Sequence, residues 1–474
     1  MGQIVAQSLA IHGAQRCESV IVMNSAISTN FGKENDTAQF LPELAYRKWV
    51  IGLLLLTLLF SVLPTGLSWD FDAASDMSKG SIVRKLQWVS LFALAFFLAW
   101  KKKFEYLRYF LWGNIFLWML LVFAALSVLW SPAPVNAFRQ VVQFFGVLLV
   151  CYVISIYFLK NTQRVFEYGF YLLATVLVLS VLIVIIDPVQ GKESVIGIEG
   201  SWRGILEQKN ALGIASGVTF LFWLYVQTTT VQKPVVSLFL LALIVTCLLG
   251  SRSSSSLFFG LISSLLYFLL YKDRIRTSLL FVRVSLIAAT LFVSANLIFF
   301  FWANRVLSFS DVAGPFSSLF GKSSDLTGRA DIWVLVWQSI GQHWLFGTGF
   351  ASFWLGQGGP SQFISDALQW SVPTAHNGYL EVLNELGLVG VALFVGMLLN
   401  HVRNLISIFH HFRPHAALHI ALLLIFLISN FSESTALKVT SFLQVLLFLS
   451  MMMTQAACIQ LEHADAELKF KGYV

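Results

Sequence analysis

Four short polar segments hold residues that could bind an anion and assist a group transfer. The first spans residues 200–213, where Arg203, Glu207 and Asn210 follow one another at intervals of four and three residues. On a helix these side chains would share one face, which predicts a polar stripe at the outer end of a membrane span. A local Arg203–Glu207 ion pair is the simpler interpretation. It leaves the adjacent Lys209 unexplained.

The second segment is a serine-rich turn. Residues 250–256 read Gly-Ser-Arg-Ser-Ser-Ser-Ser, and Arg252 is their only charged residue. A guanidinium surrounded by hydroxyl groups is suited to bind a phosphate or a sugar. The same composition is typical of an ordinary polar turn between two helices. Both interpretations of Arg252 stay open.

The third segment places an arginine at the start of a helix. Residues 326–333 lead into apolar residues at helical spacing, which predict a helix to about Ile340 on the outer leaflet. Arg329 falls in the first turn, where a cation is electrostatically unfavourable with the helix dipole. An anion held by the guanidinium and backbone N–H groups would explain this position.

The fourth segment, residues 375–390, combines a histidine with acidic and amide side chains. Asn377, Glu381 and Asn384 are spaced to share a helix face, and His376 precedes them. We predict that His376 takes part in catalysis or substrate contact, although a structural role is the alternative. Six further histidines are expected in loops or on the inner surface: His343, His401, His410, His411, His415 and His419.

Membrane helices must position these segments. Of the 474 residues, 57% are hydrophobic and 12% are charged, whereas a soluble domain is about 25% charged. Apolar runs approach the ~20 residues that a bilayer span needs. We therefore predict an all-α polytopic membrane protein with about twelve transmembrane helices. The expected spans are 49–67, 85–100, 111–129, 138–160, 166–186, 204–227, 233–250, 255–271, 284–301, 378–400, 417–430 and 438–457.

One long loop, residues 302–377, separates the ninth and tenth spans. Residues 1–44 show no cleavable signal peptide and are expected to form a cytoplasmic tail. Residues 45–457 form the predicted transmembrane catalytic domain, followed by a second cytoplasmic tail at 458–474. Basic residues in short loops, above all Lys101–Lys103, place both termini inside. The long loop and the four polar segments then face the periplasm.

Charge and cysteine content exclude several classes of protein. The net charge of +7 is explained by loop cations that set membrane orientation, so we expect no nucleic-acid partner. The four cysteines lie far apart and form neither a disulfide framework nor a metal site. The acidic residues of the long loop are too scattered for a metal cage, namely Asp311, Asp325, Asp331 and Asp366. No metal and no cofactor are therefore expected.

In their order along the chain, the four segments resemble the O-antigen ligase and polymerase superfamily, and most closely its Wzy-like exopolysaccharide polymerases. The resemblance covers about residues 120–400. It is carried by Trp202-Arg203-Gly204 with Lys209-Asn210, Gly250-Ser-Arg252-Ser, Thr327-Gly-Arg329-Ala-Asp-Ile-Trp333, and His376-Asn-Gly-Tyr-Leu-Glu381 running into Gly387-Leu-Val-Gly390.

The resemblance implies a GT-C-like, multi-spanning glycosyltransferase of the bacterial inner membrane. Such an enzyme transfers a glycan from an undecaprenyl-diphosphate carrier by a metal-independent, inverting reaction. The family's two essential arginines correspond to Arg203 and Arg329, and its essential histidine to His376. We expect substrate contacts from Arg252, Glu207, Lys209, Asn210, Asn377 and Glu381.

Three functions stay open at this point. Lys209-Asn210 favours a polymerase of an exopolysaccharide or O-antigen, which would work with a chain-length regulator and a flippase of the same pathway. A ligase that moves the finished polymer onto a lipid A core uses the same chemistry with another acceptor. A flippase or transporter of lipid-linked oligosaccharides would need a polar path and inverted repeats. The sequence displays neither feature.

Overall fold

A computed structural model describes residues 37–63, 82–159, 161–194, 198–230, 233–271 and 329–470. Contacts divide the chain into two compact units. The larger unit, Val50–Cys458, contains the four polar segments. The smaller unit combines Met1–Trp49 with Ile459–Val474. Its described part is helical.

The described residues form fifteen α-helices, and their only β pairing is an isolated bridge between Lys192 and Trp202. The helices are α1 Thr37–Val62, α2 Ile82–Lys101, α3 Leu107–Gly113, α4 Ile115–Leu126, α5 Pro134–Tyr157, α6 Gln163–Ile186, α7 Pro188–Gly191, α8 Lys209–Thr229, α9 Pro234–Gly250, α10 Ser254–Tyr271, α11 Arg329–His343, α12 Gln362–Leu368, α13 Gly378–Phe409, α14 Arg413–Ser429 and α15 Phe442–Phe470.

Eight of these helices contain stretches long and apolar enough to cross a membrane, and the α3–α4 pair would make a ninth span. α9 and α14 are shorter apolar helices of 17 residues. The predicted all-α, multi-spanning class is thereby confirmed. The predicted number of twelve spans stays a prediction, since the span at 284–301 and the loop residues 302–328 lie outside the described residues.

The predicted span at 111–129 is interrupted, because α3 and α4 meet at an angle of 86°. The break exposes the carbonyl of Gly113, which accepts hydrogen bonds from the side-chain amides of Asn400 and Asn404. Asn114 caps α4 by accepting the N–H of Leu117 at 3.2 Å. Backbone groups freed inside a membrane need such partners, so α13 stabilises the bend.

The end of the long loop has an apolar core of its own. This core packs α11 and α12 against the chain that leads into α13. Its buried members are Ile332, Val336, Ile340, Phe353, Ile364, Val372 and Ala375. The Nε1 of Trp333 also donates a 2.8 Å hydrogen bond to the carbonyl of Ala375. The third and fourth polar segments are thus held side by side.

α13 bends at Gly387, where it exchanges hydrogen bonds with residues 344–349. Leu388 and Val389 donate their N–H groups to the carbonyls of Trp344 and Leu345 at 2.9 and 3.2 Å. In return, the carbonyls of Asn384 and Glu385 accept the N–H groups of Thr348 and Gly349 at 2.9 and 2.8 Å.

Gly387 is required for this exchange for two reasons. Its φ of +63° is left-handed, and an added Cβ would overlap the carbonyl of Leu345. The backbone groups freed by the bend remain satisfied because residues 344–349 supply their partners.

Three histidines expected in loops or on the inner surface, His401, His415 and His419, instead lie on helices and have buried side chains. Nδ1 of His419 lies 2.7 Å from Oγ of Ser450, which lies 3.3 Å from Nε2 of His401. Nε2 of His415 lies 3.1 Å from Nε2 of His419. The expectation was wrong because α13 continues to Phe409 and α14 begins at Arg413. Both helices therefore enclose these imidazoles, which bond to one another and to a serine.

Candidate functional site

The first polar segment is a loop that leads into α8, so the predicted helical stripe of Arg203, Glu207 and Asn210 is wrong. The helix begins at Lys209 because the carboxylate of Glu193 accepts the Lys209 N–H at 2.7 Å. An acidic group at this position is favourable with the helix dipole. Glu207 is exposed in the loop, and Asn210 lies in the first turn of the helix.

Arg203 is fixed by the turn that precedes it. Its backbone N–H donates to the carbonyl of Gly191 at 3.0 Å, and its Nε donates to the carbonyl of Gln190 at 2.8 Å. Gly204 follows with a left-handed φ of +64° and packs against Ser180. These contacts hold the half-buried Arg203 beside α7.

The second segment joins the first through Trp202. The Trp202 N–H donates to the carbonyl of Gly250 at 2.8 Å, and a Cβ at position 250 would lie 2.5 Å from the indole ring. Arg252 has a left-handed φ of +48° and is exposed. The buried Ser253 donates its hydroxyl to Oδ1 of Asn210 at 3.1 Å.

The first and third segments meet at a residue that the sequence analysis missed, Glu433. Its Oε1 accepts a 2.8 Å hydrogen bond from Nδ2 of Asn210. The same oxygen lies 3.7 Å from Nη2 of Arg329, which begins α11 as predicted. The carboxylate therefore joins α8 and α11, although Glu433 belongs to the connection between α14 and α15.

The fourth segment starts α13. The side chain of Asn377 caps the helix by accepting the N–H groups of Tyr379 and Leu380. Glu381 is buried, with Oε1 accepting the Ala375 N–H at 2.9 Å and Oε2 3.7 Å from Nζ of Lys438. Glu381 thus holds the backbone just before His376.

His376 sits at the start of α13 in a left-handed conformation, with φ +50°. Such strain in a residue other than glycine is concentrated at functional sites in proteins. Burial, together with the positive charges of Arg329 and Lys438, lowers the pKa of His376 to about 4. The imidazole is therefore neutral at pH 7 and available to accept a proton or a hydrogen bond.

The connection between α14 and α15, residues 430–441, completes the site. Gly378 donates its N–H to the carbonyls of Asn430 and Glu433 at 2.9 and 3.2 Å. A Cβ at Gly378 would overlap Oδ1 of Asn430, so only glycine fits there. The Asn377 N–H donates to Oγ of Ser434 at 3.1 Å. The connection therefore supports the backbone on both sides of Asn377.

Three basic side chains act on the carboxylate of Glu433. Burial raises the pKa of Glu433, although the charges of Arg329, Lys438 and Lys209 and the hydrogen bond from Asn210 act in the opposite direction. These three cations face three carboxylates: Glu433 itself, Glu381 at 3.7 Å from Lys438, and Glu193, which accepts the N–H of Lys209. The charges balance, so an anionic ligand would have to compete with Glu433 for Arg329.

A cavity of about 280 Å³ lies beside the second half of α11. Its wall includes amide, hydroxyl and aromatic groups from Gln338, Ser339, Gln342, Thr348, Phe353 and Phe363. Helical rise puts Gln338 about 14 Å along the axis from Arg329.

The described residues contain no group of three or more histidine, cysteine, aspartate or glutamate side chains that could hold a metal ion.

Part of the chain matches a known protein family. Residues 237–395 match the family model described as O-Antigen ligase. The matched region contains the whole of the second, third and fourth polar segments, whereas Arg203, Asn210 and Glu433 lie outside it. No curated protein matches the chain significantly. The match confirms the resemblance predicted from the polar segments: residues 237–395 are similar to the O-antigen ligase family.

Proposed function

We propose that the protein polymerises a bacterial exopolysaccharide or O-antigen. The donor is a glycan on undecaprenyl diphosphate, the acceptor is a sugar hydroxyl, and transfer takes place on the periplasmic side of the inner membrane. One observation carries the proposal: Arg329, Lys438 and Lys209 surround a buried site at which all four polar segments or their immediate supports meet. A lipid-linked diphosphate is an anion that these cations can bind in place of Glu433.

The transfer inverts the anomeric carbon. The acceptor oxygen forms the new bond to that carbon, and the bond from the carbon to the phosphate oxygen breaks. The electron pair leaves with the diphosphate, while the hydroxyl proton passes to a base. We assign Arg329 to the growing negative charge, with Arg203 as the second arginine implied by the family. His376 is neutral at pH 7 and orients or deprotonates the acceptor hydroxyl.

The cavity beside α11 is our candidate position for the neutral part of the glycan. Amide and hydroxyl groups offer hydrogen bonds to sugar hydroxyls, and the rings of Phe353 and Phe363 offer apolar surface. Its position on the helix that begins with Arg329 lets one glycan reach both the cavity and the diphosphate site.

A ligase is the second candidate, since the matched family model is described as O-Antigen ligase. Both functions use the same donor chemistry and differ in the acceptor. Deleting the gene and sizing the surface polysaccharide separates them. A single-repeat product identifies a polymerase, whereas full-length polymer accumulating on the carrier lipid identifies a ligase. Unchanged polysaccharide would contradict both functions.

Purified protein provides the direct test of the chemistry. We expect it to join lipid-linked repeat units in the presence of a chelator, because the proposed leaving-group stabilisation comes from arginine. Activity lost in chelator and restored by a divalent cation would contradict the metal-independent mechanism.

A further inference from the structure

We infer that Glu433 is a positioning residue that holds Arg329 and Asn210 in the empty enzyme and binds a proton when the donor diphosphate arrives. This inference rests on the proposed function, because it concerns the donor of that reaction. It gives a role to a carboxylate that lies outside the four polar segments and outside the matched region 237–395.

The contacts of Glu433 are those of a bound anion. Its Oε1 receives the amide of Asn210 at 2.8 Å and lies 3.7 Å from the guanidinium of Arg329. The 3.7 Å separation exceeds hydrogen-bond distance, so the ion pair is loose and can exchange partners. A diphosphate would use the same two groups. The carboxylate therefore occupies the place of an anion until the donor binds.

Charge explains why a proton accompanies the donor. A diphosphate beside Glu433 would place like charges together, and a like charge disfavours the ionised carboxylate. Protonation removes this repulsion and releases Arg329 to the phosphates. Burial already raises the pKa of Glu433 in the empty enzyme. Burial and the arriving diphosphate therefore both favour the protonated form of Glu433.

Charged side chains on several neighbouring elements act on the titration of Glu433. Arg329 on α11, Lys209 on α8 and Lys438 in the connection itself all favour the ionised carboxylate. Glu381 on α13 lies 3.7 Å from Lys438, Glu193 accepts the N–H of Lys209, and Glu385 on α13 accepts the N–H of Ala351. Burial and nearby cations lower the pKa of His376 to about 4. Of these groups, Glu433 contacts both Asn210 and Arg329, so Glu385→Gln should retain the pH dependence of donor binding.

The experiment measures donor binding against pH with a defined probe. Farnesyl diphospho-N-acetylglucosamine is a diphosphate diester whose own charge is constant between pH 5 and 8. For the wild-type protein in lipid nanodiscs, we expect affinity to fall as pH rises, by up to about tenfold per pH unit above the pKa of Glu433. Glu433→Gln mimics the protonated residue and keeps an acceptor for Asn210. It should bind the probe equally well at all these pH values and more tightly than wild type at pH 8.

Three further variants make the result specific. Glu433→Asp retains a titrating carboxylate and should retain the pH dependence. Glu199→Gln removes an exposed carboxylate from a neighbouring loop and should bind like wild type. His376→Gln should retain the pH dependence, because the pKa of His376 is lowered to about 4, below the pH range of the experiment. Loss of the pH dependence in His376→Gln would overturn the inference.

The remaining outcomes separate this inference from the proposed function. Equal pH dependence in wild type and Glu433→Gln would overturn the inference and leave the transfer reaction standing. Unchanged binding with a transfer rate reduced by 100-fold or more in Glu433→Gln would also overturn it, since Glu433 would then act on the acceptor proton. Failure of the wild type to bind the probe at any pH would contradict the proposed function as well.

Discussion

Asn210 and Glu433 are 223 residues apart in the chain, yet the amide of Asn210 donates a 2.8 Å hydrogen bond to the carboxylate of Glu433. The hydroxyl of Ser253 donates to the other end of the same amide at 3.1 Å. Asn210 is thus held from both sides, and its amide nitrogen must be the group that faces Glu433. This arrangement defines which substitutions the site tolerates.

Asn210→Asp should impair the enzyme more than Asn210→Ala. The aspartate would place a second carboxylate beside Glu433, and two carboxylates that share a site repel each other strongly. Alanine removes one hydrogen bond without adding charge. We expect weaker donor binding and slower transfer in Asn210→Asp, measured on purified protein. The exposed Asn161 provides the control, because Asn161→Asp should behave like wild type. Equal activity of Asn210→Asp and Asn210→Ala would contradict the assigned geometry.

Arg329→Lys and Arg203→Lys should lose most polymer formation while inserting normally into the membrane. Lysine keeps the charge but lacks the planar fork that binds a phosphate through two hydrogen bonds. Removal of one preorganised donor from a transition state costs about 2.7–4 kcal/mol, or roughly 10²–10³ in rate. Single-turnover transfer measures this loss. Arg108→Lys, at an exposed position, should leave the rate unchanged. Near-normal transfer by Arg329→Lys would exclude the phosphate role of that residue.

The dependence on pH tests His376. If its imidazole accepts the hydroxyl proton, the wild-type rate should fall as pH drops through about 4, because the protonated ring cannot act as a base. His376→Ala should still bind the donor but transfer it roughly 10²–10⁴-fold more slowly. Single-turnover rates across pH give both quantities. Full activity of His376→Gln would instead assign His376 to supporting the start of α13.

The cavity beside α11 should influence the recognition of glycans and leave the diphosphate site intact. We expect the double variant Gln338→Ala/Gln342→Ala to weaken binding of long acceptor glycans by about tenfold, since two amide hydrogen bonds are lost. Binding of the diphosphate probe should not change. Gln357→Ala, an exposed amide outside the cavity wall, is the matched control. Equal losses for long glycans and for the diphosphate probe would indicate general damage to α11.

Orientation is tested by chemical labelling. A cysteine introduced at Gln357 should react with a membrane-impermeant thiol reagent applied from the periplasm, and a cysteine at Lys102 should not. Both positions are exposed, so accessibility to the reagent depends on the side of the membrane. The cysteine at position 102 should be labelled only after the membrane has been permeabilised. Labelling of position 102 in intact cells would reverse the topology and place the site in the cytoplasm.

The membrane helices could be predicted from the sequence because apolar runs are local signals. Each predicted span within the described residues overlaps a helix, although the span at 111–129 is interrupted between α3 and α4. The ends were harder, since they depend on distant partners. The start of α8 is set by Glu193, sixteen residues before Lys209, and no periodicity around Arg203 indicates this contact. The spacing of Arg203, Glu207 and Asn210 therefore predicted a helical face that does not exist.

The positions of two candidate residues could be predicted, while their roles stay predictions. Arg329 begins α11, His376 lies two residues before α13, and the charge of Arg329 acts on the imidazole. Glu433 was missed because one carboxylate in a short polar connection has no repeating pattern. The sequence did contain one indication of it. Two charged residues, Glu433 and Lys438, lie between two apolar runs and on the same predicted side of the membrane as the four segments. Only the three-dimensional structure brings that connection to Asn210 and Arg329.

The hydrogen-bond exchange at Gly387 limits how this enzyme can change in length during evolution. Four backbone bonds match residues 344–349 to residues 384–389 in a fixed register. Inserting or deleting one residue in either stretch would mismatch all four bonds together. The turn at Gly356 and Gly358 has open space around both glycines and can absorb such changes. Relatives of different loop length should therefore differ in the turn and preserve the number of residues in both matched stretches.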